Sequence, residues 1–148
     1  MFTIYLSVAA LIIATGHILI WRAPVIESLL LWFLVIEVGL GGIWAFLGHD
    51  FKSDEIAGYI GWPAGNPFQK EIAFTNLSLG TCGVLCFLFR DGFWLATIVF
   101  ASVFLLGAFS VHLKDQKETG NKNPGNAGAV FFADIAVPLI LWGLYVSR

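Results

Sequence analysis

Long runs of apolar residues, broken by only a few charged or turn-forming positions, constrain this chain more than any other feature. Crossing a hydrocarbon core of about 30 Å takes about 20 helical residues. In lipid every backbone N–H and C=O must find its partner within the span, so helices are expected. Five runs satisfy this arithmetic, at about 2–21, 25–47, 67–89, 93–112 and 129–145. They predict an all-α fold: an integral membrane bundle of about five transmembrane helices, one domain over residues 1–148. Composition points the same way. Only 12 % of the residues are charged, against about 25 % in soluble domains, too few to cover a soluble domain of this size. Several of the six Trp stand near the ends of apolar runs, where a membrane–water interface suits them. The bilayer is therefore the expected partner. A net charge of −2 with no basic stripe gives no reason to expect nucleic acid. No basic residue precedes the first run, which is also too long for a signal-peptide core, so it is read as a retained helix.

The breaks have their own chemistry. Arg22-Ala23-Pro24 ends the first helix and starts the second with Pro in its first turn. Arg90-Asp91-Gly92 is a tight turn, with Asp91 placed to cap the fourth helix. Connections this short predict that helices one and two pair, as do three and four. Asn66-Pro67-Phe68-Gln69 reads as a capped start, with Gln69 reaching back toward Asn66. Two long connections remain, 48–66 and 113–128, and counting crossings puts both on the side of the N-terminus. Lys52, Lys70, Lys114, Lys117 and Lys122 lie there, and Arg22, Arg90 and Arg148 lie opposite. The bare count of five against three places the long loops on the cytoplasmic side. Arg22, alone in flanking the first helix, argues the reverse and tips the balance slightly toward long loops outside the cell. Cys82 and Cys86, one turn apart, are read as packing residues.

Ionisable groups inside a span are costly and usually face the bundle interior. Glu37, in the middle of the second run, is read either as a proton or cation site or as a carboxyl locking helix packing. Glu71 and Asp134 lie near helix N-termini, where the dipole alone explains a negative charge. Topology nevertheless places Glu71, Asn76 and Asp134 in one half of the membrane, beside Gln69 and beneath the long loops. His49 and His112 come to the same level, and His17 falls near the opposite face. Two His with two carboxylates fit zinc or iron chemistry. No local ligand spacing is present, however, and a haem between His49 and His112 is weaker still. His49 and His112 remain weak metal candidates, and no cofactor is indicated. Small residues (Gly39, Gly41 and Gly42; Gly80 and Gly83; Ala10, Ala14 and Gly16) are expected to mark close helix contacts.

The run from Gly61-Trp62-Pro63 through Asn66-Pro67-Phe68-Gln69-Lys70-Glu71 to Asn76-Leu77 resembles the signature of a family of small prokaryotic membrane proteins of unknown function. Pro124-Gly125-Asn126-Ala127-Gly128, with Asp134 and Pro138, resembles that family's second shared segment. The resemblance implies a multi-pass bundle in a prokaryotic cytoplasmic (inner) membrane and brings no activity, substrate or cofactor. Trp62, Pro63, Asn66, Pro67 and Asn126 are expected in ordered loops, with Trp62 and its neighbours forming a lid or an interfacial anchor. Three functional readings follow. The first is binding or passage of a small ion or solute at the polar pole, by Glu71, Asn76, Asp134, Gln69 and the deeper Glu37. The second is an accessory or assembly subunit of a larger membrane complex, or a homo-oligomer, with the polar groups as interhelical glue. The third, an intramembrane enzyme on lipid or quinone, lacks a nucleophile–base motif around Ser78, Thr75 and Glu71.

Overall fold

The computed structural model describes residues 2–148, and among them every regular element is a helix. Helix α1 spans Phe2–Trp21. After a turn in which Arg22 takes positive φ, a continuous rod begins as α2, Val25–Trp32. It widens into a π-helical segment, Phe33–Leu40, and resumes as α3, Gly41–Phe51. A break at Lys52 leads to the short α4, Ser53–Ile60. Then come α5, Phe68–Leu85, the long α6, Gly92–Thr119, a single turn α7, Pro124–Ala127, and α8, Ala129–Val146.

Four helical stretches are long and apolar enough to cross a membrane: Phe2–Trp21, Val25–Phe51, Gly92–Thr119 and Pro124–Val146. The expected count of five is not reached on that measure. The run read as 67–89 forms α5, which has 18 residues and carries Gln69, Lys70 and Glu71 in its first turns. Its hydroxyls bond back onto its own backbone: Thr75 to the Glu71 carbonyl, Ser78 to Phe74 and Thr81 to Leu77. Bulky apolar side chains such as Ile12, Leu19, Val103 and Leu139 point outward. So much exposed apolar surface is compatible with a membrane protein and unfavourable in water.

The expected long loops are largely helical. α3 runs on to Phe51, and α4 fills most of the remainder because Ile56, Ala57 and Ile60 recur at helical spacing behind Asp54 and Glu55 in the first turn. Gly61, at φ 88°, closes α4. Its N–H reaches the Gly58 carbonyl at 3.2 Å and the Trp62 N–H reaches that of Ala57 at 2.9 Å, the double bond of a Schellman ending. In the same way α6 continues past His112 to Thr119 before Gly120, at φ 72°, stops it. Asp91 does not cap α6. It adopts positive φ and makes no capping bond, and its carboxylate lies 3.8 Å from the Arg148 guanidinium instead.

Helix pairing also departs from chain order. α1 packs on α2 and the π segment, as expected. α5 packs chiefly against α3 and the π segment, whereas α6 packs against α8. Glycine decides this. A methyl group built on Gly42 would meet the Gly80 backbone at 2.7 Å, and one on Gly80 would meet the Ile43 nitrogen at 2.7 Å and the Gly39 oxygen at 2.8 Å. One on Gly83 would run into the Gly39 backbone. Backbones can approach this closely only where side chains are absent. At the other end of α5, Trp94 of α6 is buried and donates from Nε1 to the Cys86 carbonyl at 2.9 Å, one of the carbonyls the helix end leaves free.

Gly80→Ala is expected to cost about 1–3 kcal/mol, the range for overpacking a tight contact, and to lower the thermal midpoint in detergent by several degrees. Gly143→Ala adds a methyl to open space on α8 and should leave the midpoint unchanged or raise it slightly.

Candidate functional site

A half-open cleft of about 1060 Å³ runs into the bundle, with the exposed Trp44, Tyr59 and Val103 at its rim. Its wall is drawn from α1, the π segment with α3, α4, α5, α6 and α8, and is mostly apolar. The polar groups on it include Glu37, His49, Asn76, His112 and Asp134. Helix geometry explains which side chains arrive. On α5, Ile72, Asn76 and Leu79 line the cavity at i, i+4 and i+7. Glu71, one residue earlier, is turned about 100° away, is exposed, and is not part of the wall. Glu71 therefore does not share this wall with Asp134, whereas Glu37 does.

Glu37 is buried within the π segment, a form of helix often found at functional sites. Its Oε2 accepts a hydrogen bond from the Ser7 hydroxyl of α1 at 3.0 Å. The sequence reading passed over Ser7, although its signal was present. Thr3, Ser7, Ala10 and Ala14 form one stripe of α1: Thr3 lines the cavity and both alanines are fully buried. Asp134 is 4 % exposed, and its Oδ2 has no hydrogen-bond partner among the described residues. Pro138, inside α8, has no N–H to offer the Asp134 carbonyl one turn back. Asp134 thus brings a carboxyl to the wall, and its backbone carbonyl lacks its usual helix donor. The Asn76 amide, also buried, donates to the Ile72 carbonyl at 2.9 Å, which leaves its oxygen available.

A polar cap closes the end of the cavity nearest α4 and α7. Trp62 donates from Nε1 to Asp115 Oδ2 at 2.9 Å. Its ring stacks on the His112 imidazole, with centroids 5.2 Å apart and planes at 14°. Asn121 donates to the Ile60 carbonyl at 2.9 Å and to Asp115 Oδ2 at 2.7 Å. Asn126, wholly buried, gives its amide N–H to the Asn121 carbonyl at 3.0 Å, so its Oδ1 takes the His112 Nδ1–H at 2.6 Å. That leaves the His112 Nδ1 as the donor to Asn126. The two connections therefore interlock. No sequence signal singled out Asp115 or Asn121; the Asn/Gly-rich stretch looked like simple loop.

The other expected residues lie around this cap. Pro63, Asn66 and Pro67 are exposed. Asn66 Oδ1 accepts from the Phe68 N–H at 3.0 Å, so it does serve the start of α5. Gln69 lies beside His49 instead of reaching back to Asn66. The Gly65 N–H bonds Asp54 at 3.0 Å, and Lys70 pairs with Asp50 at 2.8 Å, tying the loop to α3 and α4. Among the described residues no three His, Cys, Asp or Glu side chains gather as a metal set, and His17 sits apart, against Trp21 and Trp32.

Asn126→Ala would strip His112 Nδ1 of its partner and leave the Asn121 carbonyl short of a donor. The expected cost is about 1–3 kcal/mol, with faster hydrogen exchange at the amides of residues 120–128 and little change in those of α1.

The model of the family described as "Family of unknown function (DUF6790)" matches residues 1–148, and the chain belongs to that family. No curated protein and no solved structure matches it.

Proposed function

We propose that this chain is a multi-pass protein of a prokaryotic cytoplasmic membrane, with α5 as a fifth span, and that it binds a small organic solute in its central cavity. The observation that carries the reading is Asp134: a buried carboxyl whose Oδ2 has no hydrogen-bond partner among the described residues, on the wall of a large, mostly apolar cleft. A buried polar group left unpaired costs free energy, and a bound solute removes that cost. At about 1060 Å³ the chamber is at or just above the upper end of pockets for drug-sized ligands, roughly 300–1,000 Å³. Apolar walls with a few placed polar groups are the usual build of such sites. A chamber of this size suits a solute with an apolar body better than a bare ion. The back-bonded hydroxyls of Thr75, Ser78 and Thr81 support the placement of α5 in lipid, since their donors are satisfied within the helix. A purely architectural role, with polar groups as interhelical glue, accounts for the Ser7–Glu37 bond but not for Asp134.

The test is photolabelling in lipid nanodiscs with a neutral aryl diazirine. Adducts are expected at cavity positions such as Leu79 and Val137 as well as at lipid-facing Leu139. Ala108→Trp, which places an indole in the cavity wall, should abolish the first two and spare the third. Equal labelling in both proteins at every position would refute the reading.

A further inference from the structure

We infer that the solute carries a positive charge, an organic ammonium group joined to an apolar body, and that Asp134 and Glu37 receive that group. The inference rests on the cavity-binding reading above and adds the chemical class of the ligand.

Charge balance is the first argument. Among the described residues two carboxyl side chains line the cavity, and no Lys or Arg does. A carboxylate withdrawn from water needs a cation, a proton or several donors. Glu37 has one donor, the Ser7 hydroxyl, and the Asp134 Oδ2 has none among the described residues. The imidazoles on the wall do not supply the missing charge. His49 stands twelve residues beyond Glu37 along the same rod, about 18 Å at the helical rise. His112 is displaced from Asp134 as well. Phe109 of α6 faces Phe131 of α8, with centroids 4.6 Å apart. From that level His112 lies three residues toward the cap and Asp134 three residues away from it. The axial gap is about 9 Å, and the His112 Nδ1 is already committed to Asn126.

The second argument is the kind of group on offer. The Asp134 carboxyl, when ionised, offers only acceptors to the cavity. They match a ligand that donates hydrogen bonds, and an ammonium group donates up to three. An ionised carboxyl repels an anion, and it offers a neutral ketone or ether no donor. Aromatic rings on the wall, including Tyr59 and Phe104, accommodate both an apolar body and a cation over a ring face.

Isothermal titration of the detergent-solubilised full chain with phenylbutylammonium, phenylbutanol and phenylbutyrate tests this, because the three share one body and differ in head group. The ammonium compound is expected to bind at least roughly tenfold more tightly than the alcohol, the ratio for a charge-assisted hydrogen bond, and the carboxylate most weakly of all. Asp134→Asn should erase the ammonium advantage while leaving the alcohol affinity in place. Should Asp134→Asn fail to fold, Glu37→Gln allows the same comparison, and a smaller ammonium advantage is expected there. Equal binding of the ammonium compound and the alcohol would overturn the inference, as would an ammonium advantage that survives both variants. If the alcohol alone binds and Ala108→Trp blocks it, the cavity reading stands while the charge assignment falls.

Discussion

The structure depends on a contact between bare backbones. Gly39 and Gly42 on the central rod meet Gly80 and Gly83 on α5 so closely that no methyl group fits between them. In lipid, burial of apolar side chains gives helices little reason to associate, and close van der Waals packing takes its place. The glycine seam holds α5 against α3 and the π segment, leaving α6 to pack on α8. The wall between these two pairs is where Asn76 and Asp134 are brought to one cavity.

Around that seam the polar groups separate into two kinds. Those of the cap are satisfied by one another: Trp62, Asp115, Asn121, Asn126 and His112 form a connected set of hydrogen bonds and one stacked pair. Such a set rigidifies the elements it joins, here α4, α6 and α7. The Glu37 and Asp134 carboxyls are different. They lie deeper, in apolar surroundings, with one donor between them. An intramembrane carboxyl of this kind is a functional hypothesis by default, and the proposed cationic solute follows from that imbalance.

Much of this was legible in the sequence, and the residues explain where legibility stopped. Span ends at Trp21 and near Tyr145 follow from apolar runs with turn chemistry beside them, and the structure has them within a residue. The glycines were readable because small residues within a span have few other uses. Glu37, Asn76 and Asp134 stood out because polar groups in apolar runs are rare. Glu71 misled because topology gives depth in the membrane but not rotation about a helix axis, and one residue is enough to turn a side chain to the outside. Asp115 and Asn121 were hidden for another reason. Their partners are 53 and 61 positions away, and nothing in a polar loop's own sequence announces such bonds. The π-helical widening at Glu37 has no local signature either.

The most direct test is a crystal structure of the chain grown from a lipidic mesophase. The account predicts Glu37 and Asp134 on the wall of a single interior chamber, with non-protein density reaching hydrogen-bond distance of Asp134. A chamber filled by α6 packed onto α3, or an Asp134 side chain turned toward lipid, would contradict it.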